Sequence, residues 1–138
     1  MTAFVDTSAI YAVLDRDDDS HIAAKATWHT LLQRGTKLVT TNYVLLETAA
    51  LLQNRIGIAS VRALREGVVP LLEVEWIGES RHAAGVEAVL SANRRKLSMV
   101  DCVRFQVMRQ HRIQAAFCFD PHFADQGFIT KLSAIPVN

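Results

Sequence analysis

The protein has 138 residues, of which 50% are hydrophobic and 21% charged, and its formal net charge is +1. This length predicts one domain spanning residues 1–138, and the composition excludes a disordered chain. No apolar run approaches the ~18 residues of a membrane span, and the first predicted strand begins too early to leave room for a secretory leader. Two cysteines, Cys102 and Cys118, do not make a disulfide scaffold, so we expect a reduced, cytoplasmic protein.

Strand and helix patterns alternate along the chain. Short apolar runs predict strands, whereas longer stretches with helical spacing and polar caps predict helices. The strands are predicted at 3–5, 37–41, 71–77 and 115–119, with a weak fifth at 129–132. The helices are predicted at 7–14, 21–34, 42–55, 58–66, 80–94 and 98–111.

Strands separated by long helices imply right-handed crossovers and a mostly parallel sheet. The strands are continuously apolar, which is typical of strands that are covered on both faces. We therefore predict a three-layer α/β/α sandwich with roughly five strands. In such folds ligands bind beyond the carboxyl ends of the strands, where Asp6 and Asp120 stand.

Apolar residues also predict which helix surfaces are buried. In the second predicted helix, Ile22, Ala26, Leu31 and Leu32 are expected to face inward. Both tryptophans of the chain, at 28 and 76, are expected to bury core or interface surface.

Three acidic residues have both structural and chemical interpretations. Asp6 is placed to cap a helix, and Asp120 precedes a proline in a common turn pattern. Asp101 fits the third position of a capping box opened by Ser98, and it also lies one helical turn from Arg104. Taken singly, each pattern favours the structural role.

Glu47 is the acid that is hardest to explain by structure alone. Its helical neighbours one turn away are Tyr43, Val44, Ala50 and Leu51, and no Lys or Arg lies within a turn of it. A carboxylate on an apolar helix face is unfavourable unless something compensates its charge. A partly exposed position at a helix end remains the structural alternative.

The four acids together indicate a metal site. The predicted order of strands and helices can bring Asp6, Glu47, Asp101 and Asp120 to one crevice, where their charges would repel each other. Either some of the acids have raised pKa values or a cation lies among them. No Lys or Arg stands within the short segments that contain the acids, so we expect a bound cation. Oxygen-only ligands favour hard divalent ions, and such sites support phosphodiester chemistry.

Four segments in order carry a resemblance to the PIN-domain nucleases. Each segment is weak evidence alone, but the ordered set spans nearly the whole chain. The nearest match within the family is the small VapC-like ribonuclease toxin of type II toxin–antitoxin systems. The segments are FVDTSA at 4–9, TNYVLLET at 41–48, LSMVDC at 97–102 and FCFDPHF at 117–123, followed by Gly127-Phe128.

The resemblance implies a PIN-like fold and an endoribonuclease that depends on Mg²⁺ or Mn²⁺. The catalytic and metal-binding acids would be Asp6, Glu47, Asp101 and Asp120. Ser8 occupies the family's Asp-x-Ser position and would support the phosphate or a water, and its neighbour Thr7 is a second supporting residue.

Two positions depart from the family pattern. Cys118 stands where many relatives have Thr or Ser, and His122 stands where many have a further acid. The second departure argues against a second tightly bound metal ion, although Asp125 lies close by in sequence. His122 is a candidate substrate contact, with a solvated loop residue as the favoured alternative.

The substrate and partners are inferred from charge and from the family. Basic residues cluster at 94–96 and at Arg104, Arg109 and Arg112, where they would guide an RNA backbone or simply form a solvated helix face. The family implies a structured RNA such as tRNA or rRNA, a cognate antitoxin and a homodimer. An arginine of that antitoxin would fit among the carboxylates in place of a cation.

Three other functions remain open. The first is a PIN nuclease of RNA processing that has no antitoxin. The second is an inactive PIN scaffold used for binding. The third is a phosphoacceptor receiver module, although Thr7 and Ser8 stand where that class needs a second acid.

Overall fold

The computed structural model describes residues 1–132. Within that range the strands are β1 (Thr2–Val5), β2 (Lys37–Thr41), β3 (Glu73–Glu75) and β4 (Ala115–Phe117). The α-helices are α1 (Thr7–Leu14), α2 (His21–Gln33), α3 (Asn42–Arg55), α4 (Ile58–Ala63), α5 (Glu79–Ala92), α6 (Met99–Gln110) and α7 (His122–Asp125). After α4 the chain continues as a π-helical segment (Leu64–Val68) and a 3-10 turn (Val69–Leu71).

The four strands form one parallel sheet in the order β3-β2-β1-β4. The chain therefore winds outward from β1 to β3 and then crosses to the other side of β1 to form β4. This reversal opens a crevice at the carboxyl ends of β1 and β4, which is where ligands bind in folds of this type.

Aromatic contacts show that helices cover both faces of the sheet. Phe4 of β1 lies 6.2 Å from Phe123 of α7, which in turn contacts Phe105 of α6. Phe117 of β4 stacks on Trp28 of α2. Phe117 pairs with the residue after Phe4, so the two side chains point to opposite faces. The predicted three-layer α/β/α sandwich is therefore confirmed.

The predicted fifth strand was wrong. Within residues 1–132 the sheet has four strands, and Ile129 forms only a single parallel bridge to Ala115. Its carbonyl accepts from the N–H of Ala116 and its N–H donates to the carbonyl of Gln114. One bridge does not make a ladder, so this segment only covers the edge of β4.

The predicted inward face of α2 was also largely wrong. The buried residues are Ala24, Trp28 and Leu31, whereas Ile22 is 85% exposed. The stripe at i, i+4 and i+7 is the one that carries the large indole ring onto β4, and that contact sets the rotation of the helix. Trp76, in contrast, is 72% exposed and contributes no core.

Other helix ends agree with their sequence signals. Ser98 and Asp101 form the predicted capping box at the start of α6. Gly35 adopts the left-handed backbone that ends α2. Among the described helices, none is both long and apolar enough to cross a lipid bilayer.

Candidate active site

Asp6 connects the end of β1 to the start of α1. It is the N-cap of that helix, and its Oδ2 accepts from the N–H of Ser8 at 3.2 Å and from the Ser8 hydroxyl at 2.7 Å. The side chain is 1% exposed. Both the structural and the chemical interpretations of Asp6 therefore apply, because one oxygen caps the helix while Oδ1 points elsewhere.

Asp101 is held in the same way by the first turn of α6. Its Oδ2 accepts from the N–H of Ser98 at 3.1 Å, and the Ser98 hydroxyl accepts from the N–H of Asp101 at 3.0 Å. The carboxylate is buried, and the capping box leaves Oδ1 directed toward the crevice. The rigid helix start thus fixes the direction of the acid.

Asp120 lies just beyond β4 and is more accessible, with 24% of its side chain exposed. Its Oδ1 accepts from the N–H of His122 at 2.9 Å, which orients the carboxylate at the start of α7. The His122 ring is close as well, with Nδ1 3.3 Å from Asp120 Oδ1 and 3.6 Å from Asp101 Oδ2. His122 therefore borders the acids and is not a remote loop residue.

Arg104 is the residue that the sequence interpretation misplaced. Its side chain is 5% exposed and points from α6 into the acidic crevice. Its Nη1 donates to Asp6 Oδ1 at 2.5 Å. Its Nη2 contacts Asp101 Oδ1 and lies 3.5 Å from Asp120 Oδ2. The suggested pairing of Asp101 with Arg104 is confirmed. The expectations that the acids lack a positive neighbour and that Arg104 lies on a basic surface are wrong.

The signal for Arg104 was present in the sequence. Arg104 follows Asp101 by three positions on α6, which places both side chains on one helix face. Only the fold shows that the guanidinium reaches past its own helix to Asp6, 98 positions away in sequence.

Glu47 reaches the same crevice from α3. It is partly buried and lines the two clefts that flank the acids. Burial raises the pKa of Glu47 above its ordinary value, and the guanidinium of Arg104 opposes this shift. The negative charges of Asp6 and Asp120 raise the pKa of Glu47 further. Ionisation of Glu47 is therefore less favourable here than in water.

The two predicted supporting residues have different surroundings. The Ser8 hydroxyl donates to Asp6 and accepts from the N–H of Phe119 at 2.9 Å, so it joins the ends of β1 and β4. Thr7 is buried and donates to the carbonyl of Val44 at 3.3 Å, which ties α1 to α3. Only Ser8 lies within hydrogen-bonding distance of one of the acids.

Cys118 and Asp125 are less closely involved. Burial, and then the charge of Asp6, raise the pKa of the Cys118 thiol to about 12, so it stays protonated and is a packed residue. Asp125 is exposed at the end of α7 and lines neither flanking cleft.

Two clefts open onto the acids and share Glu47, Arg104 and Asp120 in their walls. The larger cleft has a volume of about 700 Å³ and continues past Tyr43 and His82. The smaller one, about 320 Å³, lies on the side of Asp6 and Ser8. An extended ligand that occupied both clefts would therefore pass over the carboxylates, which lie between them.

The model of the PIN domain family matches residues 3–129. This chain belongs to the PIN-domain family. The predicted membership and α/β architecture are thus confirmed.

Individual relatives of this PIN-domain chain are also known. It is 34% identical over 127 residues to the 23S rRNA-specific endonuclease VapC20 of two Mycobacterium tuberculosis strains, CDC 1551 / Oshkosh and ATCC 25618 / H37Rv. The match covers 91% of this chain and 95% of VapC20. The crystal structure of VapC20, described as a sarcin–ricin loop cleaving toxin, superposes with a TM-score of 0.80 at 32% identity. That match covers 94% of this chain and 97% of VapC20. The predicted relationship to ribonuclease toxins is confirmed.

The donor set of this PIN domain fits a divalent ion. Carboxylate oxygens of Asp6, Asp101 and Asp120 already converge on one positive group, the Arg104 guanidinium. Asp101, Asp120 and His122 also offer ligand atoms that lie within 4.8 Å of one another. Oxygen-rich sets of this kind suit Mg²⁺ or Mn²⁺.

We predict that Glu47→Gln stabilises the metal-free protein more strongly as pH rises. The folded state holds the Glu47 proton more tightly than the unfolded state, so stability declines as pH rises from the ordinary value of 4.5 through the higher folded pKa. Thermal melts of both proteins in EDTA between about pH 4 and about pH 7 measure the difference. The gain in Tm should grow across this range.

The matched control is Glu87→Gln, an exposed acid on α5. Its effect on Tm should be small throughout this range, because the side chain is exposed. A Glu47→Gln gain that stays constant or shrinks toward neutral pH would contradict the assigned environment of Glu47.

Proposed function

We propose that this PIN-domain protein is a divalent-metal-dependent endoribonuclease that serves as the toxin of a type II toxin–antitoxin system. The observation that carries the proposal is the convergence of Asp6, Asp101 and Asp120 on one cationic position at the carboxyl edge of the sheet. Glu47 completes a set of four acids there, facing two open grooves. The homology to VapC20 supports the assignment to RNA and to a toxin.

The chain's own residues prepare this site for phosphodiester hydrolysis. When Mg²⁺ or Mn²⁺ is bound, the ion supplies an acidified water and offsets the charge that develops on the phosphate. Asp6, Asp101 and Asp120 would hold the ion, and each is fixed by a helix cap or turn before substrate arrives. Such preorganisation avoids reorganisation during the reaction.

Proton transfer is assigned in this proposal to Glu47 and His122, which both line the larger cleft. The pKa of Glu47 is raised, and this side chain reaches the site from a different helix than the other carboxylates. It would accept a proton from the attacking water when ionised. His122, whose Nδ1 lies 3.3 Å from Asp120 Oδ1, would donate a hydrogen bond to the leaving oxygen.

The RNA backbone would approach along the start of α6. The exposed basic triplet Arg94-Arg95-Lys96 stands directly before Leu97 and Ser98, and Ser98 lines the larger cleft. Its positive charges would attract phosphates toward the acids. A structured RNA is the proposed substrate, with ribosomal RNA as the first candidate because VapC20 is specific for 23S rRNA.

Partners and location follow from the same relationship. A cognate antitoxin would cover the acidic crevice, and the toxin would act in the cytoplasm as a homodimer. The alternative of an RNA-processing nuclease without an antitoxin is less favoured, because the relatives at 34% identity include a toxin endonuclease.

We predict that Asp6→Asn and Asp101→Asn each lower Mn²⁺-dependent RNA cleavage by at least about a hundredfold, because each removes a ligand charge from the reacting centre. The measurement is sequencing of RNA ends after incubation of purified protein with total RNA. Cleavage by the unmodified protein should stop in EDTA.

The control for this experiment is Asp19→Asn, an exposed acid in the loop before α2, which should leave cleavage unchanged. Circular dichroism verifies that all variants are folded. Metal-dependent cleavage at the unmodified rate by the Asp6 or Asp101 variant would remove the basis of the proposal.

We predict that Arg94→Ala/Arg95→Ala weakens RNA binding and lowers its salt dependence. Each lost phosphate contact reduces the slope of log K against log salt by about 0.7 for single-stranded RNA, so the pair should reduce it by about 1.4. Binding is measured at several salt concentrations by fluorescence anisotropy in the Asp6→Asn background, which prevents cleavage.

A matched control removes two exposed charges from the opposite face of the sheet, Lys25→Ala/Arg34→Ala near α2. This pair should leave the slope unchanged. Equal slopes for both double variants would mean that the RNA does not pass the start of α6.

A further inference from the structure

We propose that Arg104 is an internal cation at the metal position of this site, and that a divalent ion binds Asp6 and Asp101 only by displacing its guanidinium. The proposal rests on the proposed function in so far as that function needs a metal ion. It adds that the chain carries its own competitor for that ion.

The hydrogen bonds of the three acids support this inference. Each carboxylate uses one oxygen for local structure: Asp6 caps α1, Asp101 closes the capping box of α6, and Asp120 accepts from the N–H of His122. The remaining oxygen of each acid faces the centre and contacts Arg104. The oxygens that a metal ion would take are therefore the same three that the guanidinium holds.

Because the acids are buried, they need a positive charge beside them, and either Arg104 or a metal ion can provide it. The side chains of Asp6, Asp101 and Arg104 are all 5% exposed or less. Buried carboxylates need a compensating positive charge, because their desolvation is otherwise too costly. Arg104 provides that charge in the metal-free protein, and a divalent ion at the same place would make it redundant and repel it.

The contacts of the Arg104 guanidinium also allow it to move away from the acids. Its Nε is buried and has no hydrogen-bond partner in the part of the chain that the structure describes. The group lies over the Phe123 ring at 5.0 Å, a contact that allows sliding, and it borders both clefts. An unsatisfied buried donor weakens its hold, and the clefts provide space for the displaced side chain.

The competing explanation is a purely structural role, in which Arg104 only keeps the acids in place. The two roles predict opposite changes in metal affinity when Arg104 is neutralised. Loss of a competitor leaves uncompensated carboxylates that bind a metal ion more tightly, whereas loss of a scaffold lets the acids separate and weakens binding.

The test is calorimetric titration of the protein with MnCl₂ alone. Arg104→Met keeps the length and apolar stem of the side chain, and should lower the Kd for Mn²⁺ by about tenfold or more, because one adjacent positive charge is gone. Arg109→Met is the control on the same helix, where the native residue contacts Gln126 and the Phe128 ring. It should leave the Kd unchanged.

Equal or weaker Mn²⁺ binding by Arg104→Met than by the unmodified protein would overturn the inference, and so would an absence of uptake by both. Uptake by the variant alone would support it.

A second measurement uses the unmodified protein and so avoids any folding defect of the variant. The ¹⁵N NMR signal of the Arg104 Nε–H in the unmodified protein should shift on addition of Mg²⁺, and a stationary signal during Mg²⁺ uptake would also overturn the inference.

Neither measurement involves RNA, so this inference and the proposed function fail separately. Metal binding that tightens in Arg104→Met without any RNA cleavage would sustain the competitor role and refute the nuclease. RNA cleavage by a protein whose metal affinity does not respond to Arg104 would do the reverse.

Discussion

Mutual repulsion among buried acids is the constraint on which the site depends. Asp6 and Asp101 are almost fully buried, and Asp120 and Glu47 lie close enough to affect the same crevice. Buried carboxylates that remain ionised this close together need a cation among them, or one of them must take up a proton. The position between the acids is therefore a cation site, whichever positive group fills it.

The fold supports this unfavourable cluster because three of the four acids also stabilise local structure. Asp6 caps α1, Asp101 belongs to the capping box of α6, and Asp120 orders the start of α7. The parallel sheet brings the ends of β1 and β4 side by side, so these local motifs meet at one edge. The structural and chemical interpretations of each acid are therefore compatible. Hydrogen bonds that stabilise helix ends also aim the oxygens that would bind a metal ion.

Much of this arrangement could be predicted from sequence, because it depends on local signals. The apolar runs identify β1, β2 and β4, and the Ser98-Asp101 spacing identifies the start of α6. The parallel topology then places Asp6 and Asp120 at one edge. These predictions needed only periodicity, capping and the rules of strand connection.

The errors concern contacts between elements that are distant in sequence. Arg104 has a helical partner in Asp101, but its pairing with Asp6 depends on how α6 lies against β1. Helix α2 has apolar residues on several faces, so only the stacking of Trp28 on Phe117 decides its rotation. Charge and hydropathy patterns do not show which side chains from distant parts of the sequence contact each other.

The most direct test of the shared cation position is anomalous X-ray diffraction from crystals of the unmodified protein soaked in MnCl₂. The account predicts one anomalous peak among the carboxylates of Asp6, Asp101 and Asp120, with the Arg104 guanidinium displaced toward a cleft. A peak only at a different place on the molecule would contradict it. So would a peak at this position with the Arg104 guanidinium still in place between the acids.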